Sequence, residues 1–253
     1  MRLCCSYTTV YTETFSYIEF TLSTSKKYES SWTVEMNLVE FKDILASTAS
    51  ICTILQFLSG ILVCRKFAKN KSTGDASGLA FVTCFMSCSL WLLYGILIQD
   101  KSVMIVNIFG SSLQFFYAFT FYTYTIHKKV IVKQMFSAIL FINLMYLYWF
   151  VSEDVALVTK RIGLLSCTLT ILFFASPLTL LAHVIRVKST ESLPFPVIMS
   201  SFVTSCQWFL YGYLINDLFI QTPNLLGCIL SAFQLVLFIV FPNTKSNDEQ
   251  LLI

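Results

Sequence analysis

Polar positions in this chain are gathered into short bridges between seven long apolar runs. A helix crosses the hydrocarbon core with about 20 mostly apolar residues. That rule predicts spans at Leu45–Cys64, Leu79–Ile98, Val103–Thr125, Val130–Val151, Ile162–Ile185, Leu193–Ile215 and Leu218–Phe241. The fourth is the least regular. Lys133, Gln134 and Asn143 interrupt it, and Tyr146, Tyr148 and Trp149 close it as interfacial anchors.

The pattern is also written twice. Lys71-Ser72-Thr73 recurs as Lys188-Ser189-Thr190, 117 residues later. On the same ruler Trp91, Tyr94, Gly95, Asp100, Asn107 and Gly110 fall on Trp208, Tyr211, Gly212, Asp217, Asn224 and Gly227, and Phe57 and Ser59 fall on Phe174 and Ser176. A repeat at fixed period states an architecture. Each copy holds three helices, so two abutting copies would point in opposite directions, and one inserted helix restores parallel halves. The expected fold class is therefore an all-α integral membrane protein, with seven transmembrane helices as 3+1+3 parallel triple-helix repeats, an arrangement found among transporters. The division predicted is a polar leader over 1–44, a first bundle over 45–125, a linker helix over 126–155, a second bundle over 156–242 and a tail over 243–253.

Composition agrees with the pattern. Hydrophobic residues make up 56% of the chain and charged ones 12%, about half the charged share of a soluble domain. Mean hydropathy is +0.72. The net charge of +3 is too small to point to nucleic acid, and matters only through where it lies. Arg65, Lys66, Lys69 and Lys71 lie in one loop, Lys128, Lys129 and Lys133 in or beside another, and Arg186 and Lys188 in a third. The alternate loops hold Asp100 with Lys101, Glu153 and Asp154 with Lys160 and Arg161, and Asp217 alone. The basic set is expected on the cytosolic side, leaving the N-terminus outside and the C-terminus inside. The sequon Asn70-Lys71-Ser72 then faces the cytosol and stays unmodified. The leader has no apolar core for a signal peptide. It reads either as an extracellular tail or as a product of the assigned start, Met36 offering a shorter lead into the first span.

Seven of the nine cysteines lie in apolar segments, with only His127 and His183 as histidines. No ligand set joins them, so no metal or cofactor is expected, and the cysteines read as small packing residues. No nucleophile, base and partner cluster suggests an enzyme.

No Asp, Glu, Arg or His stands in the body of a span. A mid-bilayer charge costs roughly 2.5–3.5 kcal/mol on insertion scales, which ion-coupled carriers tolerate for proton or voltage work. Without such a relay, a neutral solute moving down its gradient is expected. The candidate binding residues are Asn107, Asn224, Trp208 and Trp91. Asn107 follows Asp100 by seven residues and Trp91 precedes it by nine, which at 1.5 Å per residue sets both roughly 10–13 Å below the boundary. Asn224 and Trp208 hold the same offsets from Asp217. An amide offers donors and an acceptor to neutral hydroxyls, and an indole face covers the C–H side of a sugar ring. Tyr94 and Asp217, from different halves, form a candidate gate through a charge-assisted hydrogen bond, although a belt tyrosine and a solvated acid fit their positions equally. Gln56, Gln114, Gln207 and Gln234 have no match across the repeat and read as packing.

Several segments resemble the SWEET family of sugar facilitators, its animal members in particular, over about Leu45 to Pro242. They are Lys-Ser-Thr-Gly-Asp-Ala-Ser-Gly-Leu-Ala-Phe (71–81), Leu-Trp-Leu-Leu-Tyr-Gly (90–95), Val-Asn-Ile-Phe-Gly (106–110), Ala-Ser-Pro-Leu (175–178), Lys-Ser-Thr-Glu-Ser-Leu-Pro-Phe-Pro (188–196), Gln-Trp-Phe-Leu-Tyr-Gly (207–212) and Pro-Asn-Leu-Leu-Gly-Cys (223–228). The resemblance implies bidirectional, energy-independent movement of mono- or disaccharides, often by homo-oligomers, in the plasma membrane or the Golgi membrane. It implies sugar contact at Asn107, Asn224 and Trp208, with Trp91 at the repeat-related position, and an extracellular gate at Tyr94 and Asp217. The family bends four helices at prolines. Pro177 and Pro194 keep that pattern in the second half, whereas Gly60 and Ala80 replace it in the first, so the expected hinges are Pro177, Pro194 and Gly60.

The leading expectation is alternating access without ion coupling, carrying a glucose-like hexose, because two opposed tryptophans narrow the pocket. One alternative is a PQ-loop-type small-solute or amino-acid exporter, but no Pro-Gln dipeptide occurs and no cation in the spans would meet a carboxylate. Another is a seven-helix receptor, which lacks such a repeat; no Asp-Arg-Tyr or Asn-Pro-x-x-Tyr occurs.

Overall fold

Hydrocarbon offers no partner to backbone N–H and C=O groups, so an apolar chain of this kind must satisfy them within helices. The computed structural model describes residues 37–241; most of the leader and the whole tail lie outside the described residues. The chain divides into two units, residues 1–44 and 45–253. Of the first, residues 37–44 are helical and mostly exposed.

Helix α1 covers residues 37–58. It is followed by α2 Gly60–Asn70, α3 Leu79–Leu97, α4 Lys101–Tyr124, α5 Lys128–Val151, α6 Val155–Phe173, α7 Ala175–Val187, α8 Phe195–Leu214 and α9 Leu218–Val240. The first and fifth expected spans are each two helices, separated at Ser59 and at Phe174. Pro177 explains the second break: it has no N–H for the carbonyl of Phe173, and its ring crowds that turn. At the first break there is no proline. The amide of Ser59 turns back to the Gln56 carbonyl at 3.1 Å, that of Leu62 to the Ser59 carbonyl at 3.1 Å, and the Ser59 hydroxyl donates to the Gln56 carbonyl at 2.7 Å. Ala80 sits in the first turn of α3 and Pro194 caps α8. Both lie at helix starts, where a proline bends nothing.

Hydropathy placed the remaining spans within a few residues, but cut the first and fifth short. The two stretches run Asn37–Asn70 and Val155–Val187; the second starts early because Asp154 caps α6 by accepting from the Leu157 amide at 2.9 Å and Arg161 donates to the Tyr148 hydroxyl at 2.8 Å. Six helical stretches are long and apolar enough to cross a membrane by length and composition; α8 is not among them. Ser200, Ser201, Thr204, Ser205 and Gln207 dilute it, and several of these line polar contacts or cavities described below.

The two halves are built alike. α3 packs along α4 as α8 packs along α9, and α2 meets α4 as α7 meets α9. Each close pair is joined by the same turn. Gln99 and Asn216 adopt left-handed φ of 57° and 55°. Their amides reach back three residues to Ile96 and Tyr213, while the amides of Asp100 and Asp217 reach back five to Gly95 and Gly212. This is the Schellman arrangement. Gly95 and Gly212 allow the close approach there: a Cβ would stand a tight 3.1 Å from the Met104 amide nitrogen and 3.0 Å from that of Gln221. α3 and α6 meet across the halves, and α5 packs on α3, α4 and α6. A core at the Asp100/Asp217 end joins Leu93, Tyr94, Val158, Ile162, Trp208 and Tyr211, with Tyr146 and Trp149 of α5 against it.

Candidate functional site

Each half sends side chains toward one seam, and they arrive in repeat-related pairs. Nearest the Asp100/Asp217 end, the Tyr94 hydroxyl donates to Asp217 Oδ2 at 2.7 Å, and the Tyr211 hydroxyl donates to Asp100 Oδ2 at 2.5 Å. Tyr94 and Tyr211 are 2% and 5% exposed, so these are shielded, charge-assisted bonds. Each aspartate also caps a helix with its other oxygen. Asp100 Oδ1 accepts from the Val103 amide at 2.9 Å, and Asp217 Oδ1 from Phe219 and Ile220 at 2.9 and 3.1 Å. The cap fixes the carboxylate before the tyrosine arrives, and the positive end of the helix dipole holds its charge.

One turn along α3 and α8, Trp91 and Trp208 stand edge-on to these tyrosines, with ring centroids 5.6 Å apart in both halves. Trp91 Nε1 donates to Thr170 Oγ1 on α6, and Trp208 Nε1 to Thr53 Oγ1 on α1, each at 2.9 Å. Thr53 and Thr170 are themselves 117 residues apart. Both indole N–H groups therefore tether one half to the other and fix the ring planes.

Below the tryptophans lies a cavity of about 170 Å³ lined by Thr53, Phe57, Trp91, Asn107, Thr170, Trp208, Pro223 and Asn224, among others. The four predicted binding residues thus share one site at the junction of the halves. The amides of Asn107 and Asn224 are partly engaged: each donates from Nδ2 to the carbonyl four residues earlier, Val103 and Ile220, at 2.8 Å. Each side chain keeps its Oδ1 acceptor and one N–H for a ligand. No lining residue carries a formal charge. A larger cavity of about 670 Å³ at the α2–α3 connection is lined by Lys66, Asn70, Ser72 and Asp75 among others, and includes none of the predicted residues.

The sequence reading missed three features of this seam. The second latch, Tyr211 to Asp100, is the mirror of the first. The threonine tethers left a signal in the 117-residue spacing that went unused. Gln56, expected to be packing, donates to Ser200 Oγ at 2.8 Å and Thr204 Oγ1 at 3.0 Å, joining α1 to α8. Its repeat partner is Phe173, so this clasp exists on one side of the seam alone. Of the expected hinges, Gly60 and Pro177 lie one and three residues past the breaks at Ser59 and Phe174, and Pro194 stands at the start of α8.

A repeated helical bundle in the membrane, with a closed end and an uncharged cavity between its halves, has the form of a carrier. The family described as "Sugar efflux transporter for intercellular exchange" matches residues 43–129 and again 160–246. Relatives named sugar transporter SWEET1 are 47% identical over 209 residues in Drosophila pseudoobscura pseudoobscura, covering 82% of this chain and 92% of the relative. In Caenorhabditis elegans the figures are 33% over 211 residues, 82% and 69%; in Rattus norvegicus they are 30% over 209 residues, 82% and 95%. The solved structure of a eukaryotic SWEET transporter superposes with a TM-score of 0.71 at 30% identity, over 79% of this chain and 97% of that one. The chain belongs to the SWEET family.

Proposed function

We propose that this protein is a facilitative, bidirectional sugar transporter that works by alternating access without ion coupling and prefers a glucose-like monosaccharide. The observation that carries the reading is the uncharged cavity of about 170 Å³ walled by two asparagines and two tryptophans from opposite halves. Its volume falls below the roughly 300–1,000 Å³ of drug-sized ligand sites, which favours one sugar ring over two. Hydroxyls would meet the free amide oxygens, and the ring C–H face would lie on indole. The names of the relatives support a sugar as cargo.

In this reading the conformation is shut at the Asp100/Asp217 end, which is the outer end by the basic-loop argument, with the N-terminus outside and the C-terminus cytosolic. The triple-helix bundles, 45–125 and 156–242, rock about the linker helix. Gly60 and Pro177 act as the hinges of the half opposite the latches, with Pro194 setting the start of α8. The host membrane is the plasma membrane, the Golgi membrane or both, and the working form is a homo-oligomer.

Counterflow of labelled glucose in proteoliposomes without a proton gradient tests this. Robust exchange is expected, with flux reduced severalfold by Asn107→Ala or Asn224→Ala, each removing hydrogen bonds of about 0.5–1.5 kcal/mol. Full flux in both variants would exclude the site.

A further inference from the structure

Within the second half, one to two turns beyond the central pocket toward the Lys188 end, lies another cavity of about 250 Å³ bordered by α7, α8 and α9. Four polar side chains converge on it: Ser201, Ser205, Ser231 and Gln234. Ser231 and Gln234 are each 6% exposed. Many helical hydroxyls in this protein donate to the carbonyl four residues back, as Thr53, Ser89, Thr120 and Thr222 do, although the buried Ser166 hydroxyl does not. These three serines and Gln234 have no side-chain hydrogen bond to any described residue. Ser201 and Ser205 are half-buried, and the four groups face the cavity, where their hydrogen-bonding capacity is available to an occupant. Genuinely dry cavities are wholly apolar, and four polar side chains interrupt the mostly apolar wall of this one.

The repeat shows that the space is not a consequence of the fold. At the position equivalent to Gln234 the first half carries Tyr117, 117 residues earlier. Tyr117 is fully buried, its ring lies against Gly60, and its hydroxyl donates to the Phe57 carbonyl at 3.0 Å. A phenol plugs the volume in one half where an amide opens it in the other.

We propose that this cavity is a second binding site for the transported sugar itself, confined to the second half. The proposal rests on the sugar reading of the central pocket. The donors and acceptors are all neutral, an amide and three hydroxyls, which suits a polyhydroxylated solute and gives no charge for an ion. Phe174 and Pro177 supply an apolar wall for the C–H face. The space of about 250 Å³ exceeds that of the central pocket, about 170 Å³, so volume does not exclude the same solute here. Ser231 follows Asn224 by seven residues on α9, setting the two sites roughly 10 Å apart along the helix. The site adjoins the Pro177 break, so an occupant would bear directly on α7.

Equilibrium dialysis of labelled glucose against concentrated, detergent-solubilised full-length protein provides the test, with quenching of tryptophan fluorescence reporting the central site. Wild type is expected to bind two glucose molecules per chain. Gln234→Tyr, which copies the plug of the first half, should leave one and keep the quenching; Asn224→Ala should lose the quenching and keep the other. Gln234→Leu, of similar bulk and without the amide, should weaken the second site roughly five- to tenfold while quenching persists, and covers the case in which the tyrosine variant does not fold. One glucose per wild-type chain, lost with Asn224→Ala and unaffected by either Gln234 variant, overturns the second site and leaves the sugar reading standing. Absence of any glucose binding overturns both.

Discussion

At the scale of single residues, the division of labour within Asp100 and Asp217 decides what their substitution does. One oxygen caps a helix and the other receives a tyrosine from the opposite half, so two effects are superimposed in any alanine variant. Asp217→Asn keeps an oxygen for the cap but gives up the charge, whereas Asp217→Ala gives up both. The alanine variant is therefore expected to be less stable than the asparagine variant by about 1 kcal/mol, the usual worth of a cap, read as a lower melting temperature in detergent. The latch itself is isolated by Tyr94→Phe and Tyr211→Phe. A hydrogen bond to a charged group contributes about 1.5–3 kcal/mol, so each single variant should shift the closed-to-open ratio roughly tenfold or more, the two singles matching each other. The double variant should go further. Entry of a membrane-impermeant thiol reagent to a Val106→Cys reporter, applied from the Asp100/Asp217 side, measures this. Equal labelling in wild type and double variant would mean that the latches do not hold the gate. The sequence made one latch visible and hid the other for a physical reason: a repeat aligns each residue with its twin, while contacts join it to the twin of something else. Tyr94 aligns with Tyr211 but touches Asp217. Thr53 and Thr170 were harder still, because a threonine in a helix usually satisfies itself locally. These two do so, donating to Ala49 and Ser166, while also accepting an indole N–H from the other half.

Among the helices, position 60 separates intrinsic preference from packing. Alanine is favoured over glycine inside a helix by about 1 kcal/mol, so on propensity alone Gly60→Ala should stabilise. Against that, a Cβ at residue 60 would collide with the ring of Tyr117, which is fully buried and tied by its hydroxyl to the Phe57 carbonyl. Overpacking of a tethered ring costs typically 1–3 kcal/mol, and the packing effect outweighs propensity. Gly60→Ala is expected to lower the melting temperature, and Gly60→Ala with Tyr117→Leu to recover part of the loss. A stabilised single variant would show that the ring has somewhere to go. The same comparison explains why proline is absent there: it too brings a Cβ. Element boundaries were legible in proportion to how far hydropathy alone set them. α3, α4, α5 and α9 end where the apolar run ends. α1 and α6 both begin earlier, and for α6 the reason is visible: a capped first turn and a paired Arg161 carry the helix past the apolar limit. The turns between α3 and α4 and between α8 and α9 were not foreseen, since Gln99 and Asn216 occupy left-handed positions where glycine is the usual signal.

For the whole molecule, the two halves are near copies in their upper tiers and differ below. Latches, indole tethers and asparagines all come in pairs, so the closed end is held by four side-chain hydrogen bonds across the seam: two from tyrosine to aspartate and two from tryptophan to threonine. Toward the other end symmetry lapses. Gln56 clasps α8 on one side with no twin, Tyr117 fills the first half, and Pro177 breaks the second. A carrier with two identical halves would move both equally. Here the face of α2 at Gly60 is filled by the Tyr117 ring, and the space of about 670 Å³ beside α2 lies farther along, toward the α2–α3 connection. α7 instead borders a cavity of about 250 Å³ against α8 and α9, so it has room beside its break that α2 lacks beside Gly60. Opening at that end should then be carried mainly by α7. Paired spin labels across α7–α9 and, separately, α2–α4 would measure it. A broad or sugar-dependent distance distribution is expected for the first pair and a narrow, unchanging one for the second. Equal breadth in both pairs would show that the halves move alike despite their different packing. Gln56→Leu sharpens the comparison, because it removes the one-sided clasp while leaving every paired contact in place. Its effect should appear as faster exchange in counterflow with the α2–α4 distances unchanged.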